Sequence, residues 1–366
     1  MRRVDAPLGL LIALGTVAGL IVIVLTAVNP VGTSIGFVLS SIAMTVVVLS
    51  YLWLDRWEPE PPRLLFFAFI WGTSAAVVIS SVLQIVLEAW IHPAGASDVS
   101  PFTLVVGAPV TEEAAKGLFL LLMMTGVRRN ELNSLTDCLV YAGLVGAGFA
   151  WLEDILYIAN GESVAESLMT AALRLIMSPF AHSLFTTMTA IGVWFALQRR
   201  SRLEQVCAVA LGYATAVLLH GMWNGSSLLG SGAYFAVYVF WMMPVFGGAI
   251  ALAVRSRRRE QHVVTATLPG MVAAGVVTPN EATWLGSIRT RKLAVAAATR
   301  FGGAPAGASV KHFAHRVVEL AFVRDRIDRG FADPRVVALL HEETHAVYAA
   351  RAGSPALHHM AGFRPF

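Results

Sequence analysis

Nine ionisable side chains stand well inside stretches that are otherwise apolar: Glu88, Glu112, Glu113, Lys116, Glu153, Asp154, Arg174, His182 and His220. Of the ten histidines in the chain, only His182 and His220 fall in such stretches. Ionisable groups inside membrane-length segments are costly and mark function. Two histidines with carboxylates form the usual ligand set of a catalytic zinc, which keeps one position for water. A metal-polarised water beside a glutamate base can attack a peptide carbonyl. Glu and His alone could also activate the water, with Asn224 donating to the oxyanion. Buried Glu and His pairs also carry protons or ions, so the residue types leave an ion- or solute-transporting protein as the alternative.

Local spacing points these groups at one another. Glu112 and Lys116 are four residues apart and Glu113 and Lys116 three, so the lysine can neutralise a carboxylate on a helix surface. Phe149 shares a face with Glu153, and His220 with Asn224. Gly221 and Gly225 form a small-xxx-small pair that admits a neighbouring backbone. Pro179, three residues before His182, frees a carbonyl and predicts a kink open to water.

The elements that must position these residues follow from composition. The chain has 366 residues, 56% hydrophobic and only 14% charged, with a mean hydropathy of +0.66. A soluble enzyme, a disordered chain and a disulfide scaffold are all excluded, the last by a count of two cysteines. The fold class is all-α, a polytopic transmembrane bundle of about eight spans followed by a cytoplasmic helical tail. Eight stretches reach the ~20 residues a span needs: 8–28, 33–54, 64–91, 103–127, 136–158, 167–198, 205–229 and 232–254. The first is read as a retained anchor, its apolar run being too long for a signal peptide. Residues 1–254, the membrane domain, hold 11 Lys and Arg against 15 Asp and Glu, a net −4. Residues 255–366, the tail, hold 16 against 8, a net +8.

Loop charge sets the orientation. Arg2, Arg3, Arg56, Arg63, Arg128, Arg129, Arg199, Arg200, Arg202, Arg255 and Arg257–Arg259 all fall on one side. The opposite loops, 29–32, 92–102, 159–166 and 230–231, contain no Lys or Arg. Both termini are therefore expected in the cytoplasm of a cell bounded by this plasma membrane. Counted from the inner helix ends, Glu113, Glu153, His182 and His220 lie about 14–17 residues up, roughly 21–26 Å. Four helices of alternating direction thus place carboxylates and imidazoles in one layer, in the outer part of the bilayer.

With those residues set out, the chain resembles the PrsW family of membrane-embedded proteases, related to the CAAX-protease and bacteriocin-processing superfamily. The resemblance rests on Glu112-Glu113-Ala114-Ala115-Lys116, on Phe149 through Glu153, on Pro179-Phe180-Ala181-His182 and on His220-Gly221-Met222-Trp223-Asn224. The loop Asp55-Arg56-Trp57-Glu58-Pro59-Glu60-Pro61 also looks like the acidic-proline segment of such proteins. It covers roughly residues 50–250 and implies an endopeptidase for membrane-anchored proteins, with anti-sigma factors as the known type of substrate. The expected roles are Glu112 or Glu113 as general base and Asn224 at the oxyanion. The metal, expected to be Zn²⁺, would be held by Glu113, Glu153, His182 and His220, with Lys116 and Phe149 supporting. The cut is expected near the outer membrane face.

Blander readings apply elsewhere. Arg174 is read as a snorkelling surface residue, and Asp154 as pointing away from the layer. In the tail, His341-Glu342-Glu343-Thr344-His345 fits H-E-x-x-H, but no Asp or Glu follows Glu343 to complete a ligand set. Residues 333–351 are read instead as an amphipathic helix with Val336, Leu339, Leu340 and Val347 on its apolar side. The tail is expected as small hairpins over 262–300 and 309–350, broken at Gly302 through Gly307. Arg255 to Arg259 should rest on anionic lipid headgroups. No nucleic-acid partner is expected, since no recognition motif accompanies the charge.

Overall fold

A computed structural model describes residues 6–91, 100–332 and 334–365, so Arg2, Arg3 and most of the outer loop 92–102 lie outside the described residues. Every regular element among the described residues is helical. Seven helices are long and apolar enough to cross a membrane. They are α1 (Leu8–Val28), α2 (Pro30–Leu54), α3 (Pro62–Ile91), α5 (Leu135–Ala159), α6 (Val164–Leu197), α7 (Arg202–Leu228) and α8 (Ser231–Ala273). The eighth expected span is α4 (101–123), which is long enough but carries Glu112, Glu113 and Lys116. The chain is an integral membrane protein.

The chain divides into two compact units. In the membrane unit, residues 6–55 and 60–253, α5 is the central helix: 89% of its apolar window is buried, against 11% for α1. Glycine makes that position possible. A Cβ on Gly148 would stand 1.9 Å from the Phe69 carbonyl oxygen, and one on Gly146 would stand 2.5 Å from the Ser183 backbone. Small residues let helix backbones approach where lipid removes the hydrophobic drive for association. Polar bonds then fix register. Asn29 caps α2 and donates from its amide to the Ala159 carbonyl at 2.7 Å, and Trp71 Nε1 donates to the Ala115 carbonyl at 3.0 Å.

Three π-helical turns interrupt the bundle near the polar residues, at Gly72–Ala76 in α3, Thr103–Gly107 in α4 and Ala172–Met177 in α6. Single π turns concentrate at functional sites because they free backbone groups and re-aim side chains. The predicted kink before His182 is present: α6 leaves helical form at 178–180 and resumes at Ala181. On the expected inner side, Glu60 is buried and accepts from the Tyr141 hydroxyl at 2.6 Å. Burial, with Asp137, Asp55 and Glu131 nearby, pushes its carboxyl well above the usual range.

The second unit comprises 56–59 and 254–366. Its order differs in part from the expected hairpins. The helix starting at Met243 runs on to Ala273 without stopping at 254, because its Arg-rich stretch favours helix and no breaker occurs before Pro269. It ends at Gly275, whose φ of 70° is a left-handed stop. Helices α9 (Pro279–Leu285), α10 (Ile288–Asp328), α11 (Pro334–Ala352) and α12 (Ala356–His359) follow. The expected break falls inside α10, at Gly302 and Gly303. Trp284, Phe313, Val317, Leu320 and Met271 form the core.

The tail motif resolves by helix phase. Glu343 faces inward and is buried, while His341, Glu342 and His345 are exposed. The two histidines of the H-E-x-x-H pattern therefore belong to no ligand group among the described residues. Burial, reinforced by Glu319, raises the Glu343 carboxyl to about 8 despite Arg316 at 3.7 Å. The folded tail thus holds a proton that the unfolded chain releases, and tail stability falls as pH rises from about 4.5 to about 8. Limited proteolysis of the tail in the full chain is expected to run faster at about pH 8.5 than at about pH 6, and Glu343→Gln should remove the difference. An unchanged difference in that variant would contradict the assignment.

Candidate active site

The polar layer is one connected cluster. Lys116 Nζ, fully buried, lies 2.7 Å from Glu113 Oε1, 3.6 Å from Glu112 Oε2 and 3.0 Å from His182 Nδ1. It also sits 4.1 Å from the centre of the Phe149 ring. His220 Nδ1 meets Glu113 Oε1 at 3.0 Å, and Thr186 donates to Glu113 Oε2 at 3.2 Å. His182 Nε2 meets Glu153 Oε2 at 2.8 Å. The rings of His182 and His220 stand 5.3 Å apart, with Phe185 stacked on His220 at 4.7 Å.

Partner chemistry fixes the tautomers. A lysine ammonium only donates, so His182 Nδ1 accepts and the ring proton sits on Nε2, facing Glu153. A carboxylate only accepts, so His220 carries its proton on Nδ1, towards Glu113. Each imidazole is thereby oriented by its own carboxylate, the arrangement usual behind metal-ligating histidines. The lone pair of His220 Nε2 then looks at Glu112 Oε2 across 3.9 Å. Glu112 Oε2 is buried and has no hydrogen-bond partner, while Gln84 donates to its other oxygen at 3.3 Å. Two acceptors face each other there, and the nearest cation, Lys116 at 3.6 Å from the Glu112 oxygen, stands outside hydrogen-bond distance; a proton or a metal ion would satisfy both. Glu112, His182 and His220 each offer a ligand atom, all within 4.8 Å of one another.

Charge counting agrees. Four buried or nearly buried carboxylates, Glu112, Glu113, Glu153 and Asp154, face two cations, Lys116 and Arg174. With the carboxylates ionised and the histidines neutral the cluster is two charges negative. A bilayer interior does not tolerate that without compensation. The donors present fit a divalent ion.

The structure departs from the sequence reading at Arg174 and Asp154. Of the residues expected to hold metal, His182 and His220 group with Glu112 within 4.8 Å, while Glu113 meets Lys116, His220 and Thr186 and Glu153 meets His182 and Arg174. Arg174 does not snorkel. Its guanidinium bridges the Glu153 carboxylate and Asp154, with Nε 2.5 Å from Asp154 Oδ1, and stacks on Tyr157 at 4.2 Å. Asp154, read as pointing away, is that bridge's second anchor. The signal for this was an arginine and an Asp-Glu pair at matching depth on successive helices. Asn224 donates from Nδ2 to the Leu104 carbonyl at 3.1 Å, tying α7 to the π turn of α4. Beside it, a Cβ on Gly221 would stand 2.5 Å from the Val105 oxygen.

A helical membrane bundle with an internal Glu/His centre and a polar path of ion pairs defines a membrane-embedded enzyme or ion carrier. Comparison with known proteins decides between them. The family model described as PrsW family intramembrane metalloprotease matches residues 60–249, a little over half of the chain. The chain belongs to this family and is an intramembrane protease. It is also similar to a protein named Protease PrsW from Geobacillus kaustophilus (strain HTA426), with 24% identity over 186 residues, 50% of this chain and 76% of that protein. No solved structure matches the chain.

Proposed function

We propose that this protease hydrolyses a peptide bond of a membrane-anchored protein at a divalent metal, zinc by donor chemistry, held by Glu112, His182 and His220. The observation that carries the reading is the orphaned Glu112 Oε2 facing His220 Nε2. A Lewis-acidic ion there would polarise water and the scissile carbonyl. Glu113 keeps His220 in the tautomer whose Nε2 can ligate, and Glu153 orients His182, whose Nδ1 lone pair Lys116 must release before it can ligate. Glu113 is also the candidate to take a proton from the attacking water: Lys116 keeps it ionised, though at a cost in basicity. The second N–H of Asn224 is the candidate donor to the oxyanion. Arg174 holds Glu153 in place through a two-carboxylate bridge.

The reading includes a plasma-membrane enzyme with both termini cytoplasmic, and substrates of the anti-sigma-factor type. Glu153 and His220 stand about six and eight residues from the ends of α5 and α7, roughly 9–12 Å of helix; Glu113 lies nearer the middle of α4. A substrate helix satisfies its own amides and must unwind before attack, which costs least near the interface. The cut therefore falls in the outer third of a substrate span or just outside it. Mass spectrometry of products from the purified enzyme tests this. Termini in the cytoplasmic half of the substrate would overturn the proposed side, and unchanged turnover after Glu113→Ala, Glu153→Ala and His220→Ala would overturn the site.

A further inference from the structure

A second site lies at the opposite end of the same helices. A pocket of about 310 Å³ is lined by Met124, Arg129, Ala196, Arg200, Arg202 and Gln205. Three arginines from two separate connections thus line one cavity together with Met124 and Ala196. The connection from α6 to α7 is internally fixed: Gln198 and Arg199 donate to the Phe195 and Ala196 carbonyls at 3.1 Å, and Gln205 Nε2 donates to the Arg199 carbonyl at 2.8 Å. Arg202 opens α7, a 27-residue helix, and the Ser201 side chain makes no capping bond there. The positive end of that helix dipole adds to the arginines, with Glu204 in the first turn offsetting part of it. Arginine is the residue best shaped to fork onto phosphate oxygens. Next to the lining residues in sequence, Leu203, Val206 and Phe195 are exposed, 72%, 65% and 49% respectively. A cavity lined by three arginines, with exposed apolar side chains at neighbouring positions of the same helices, suits the phosphate of a phospholipid better than a free ion.

We propose that this pocket binds a phosphate group carried by an anionic phospholipid of the inner leaflet, the leaflet resting on the orientation proposed above. The site is built by the inner ends of α4, α6 and α7, the helices that carry Glu112 and Glu113, His182 and His220. A bound headgroup would pin those three ends together.

Native mass spectrometry of the full-length protein, released from detergent with added dioleoyl phosphatidylglycerol, reads binding without any reference to proteolysis. A retained phosphatidylglycerol adduct is expected, and no comparable adduct with dioleoyl phosphatidylcholine. Binding should weaken by roughly fivefold per arginine removed across Arg129→Gln, Arg200→Gln and Arg202→Gln. The corresponding lysine triple should keep more affinity than the glutamine triple, which separates lost charge from lost folding. Replacing Arg255, Arg258 and Arg259 by glutamine should leave this adduct in place. Survival of the adduct in the Arg129, Arg200 and Arg202 glutamine triple, or equal retention of phosphatidylcholine, would overturn the proposal. Displacement of the lipid by millimolar inorganic phosphate would overturn the lipid as the source and assign the pocket to a soluble phosphate.

Discussion

Glu112→Gln is expected to cut turnover by about 10²–10⁴-fold while leaving the protein folded. The two oxygens of Glu112 face different partners, which makes the outcome specific. Gln84 donates to Oε1, so the new carboxamide would keep its oxygen there and turn its NH₂ to the position of Oε2. From that position it can donate to His220 Nε2, which now faces only another acceptor. The substitution removes one negative charge of a cluster two charges negative and brings a donor towards His220 Nε2, against the loss of the Lys116 contact at 3.6 Å. Its thermal stability without metal should therefore stay within about 1 kcal/mol of the parent. Glu113→Ala differs in kind. It strips a partner from Lys116, from His220 and from Thr186 at once, so activity and stability should fall together. Cleavage assays paired with melting curves separate the two. A folded Glu112→Gln variant with parental turnover would remove Glu112 from the site.

Arg174 gives the second large effect. Arg174→Gln leaves Glu153 and Asp154 buried beside each other without their shared cation. Losing one partner of a fully buried pair costs about 3–5 kcal/mol; a quarter of this side chain is exposed, so a loss of about 2 kcal/mol is expected. Arg174→Lys restores the charge but cannot fork across two carboxylates. It should therefore recover most of the stability while metal affinity stays about 10–100-fold down, because Glu153 no longer holds His182 in one orientation. Melting temperature and metal affinity, measured on both variants, decide the role. Parental metal affinity in Arg174→Lys would reduce Arg174 to a structural ion pair.

Much of this was legible before any coordinates. Hydropathy alone locates seven of the eight expected spans, since a run of apolar residues has few alternatives in a bilayer; the eighth, α4, carries three charged residues. Helical spacing identifies the pairing of Glu113 with Lys116, and equal depth brings Glu153, His182 and His220 together. What depth cannot supply is rotation about each helix axis. Glu112 and Glu113 differ by one residue, about 100° of turn, and only the packed bundle shows that Glu113 bonds Lys116 and His220 while one Glu112 oxygen makes no hydrogen bond. Arg174 was misread for the same reason. Its depth near the outer end suited a snorkelling side chain, and the break at 178–180 with the π turn before it rotates the arginine inward onto Glu153 and Asp154. In the tail, phase again decides: the H-E-x-x-H pattern lies on a helix as the motif requires, with its histidines turned to solvent.

The central claim, that this buried cluster is a metal centre which hydrolyses peptide bonds, is tested most directly by metal analysis of the purified protein with cleavage measured before and after chelation. The account predicts roughly one divalent ion per chain, loss of cleavage on its removal, recovery on adding the ion back, and no ion retained by His220→Ala. Full cleavage by thoroughly metal-free protein would contradict it.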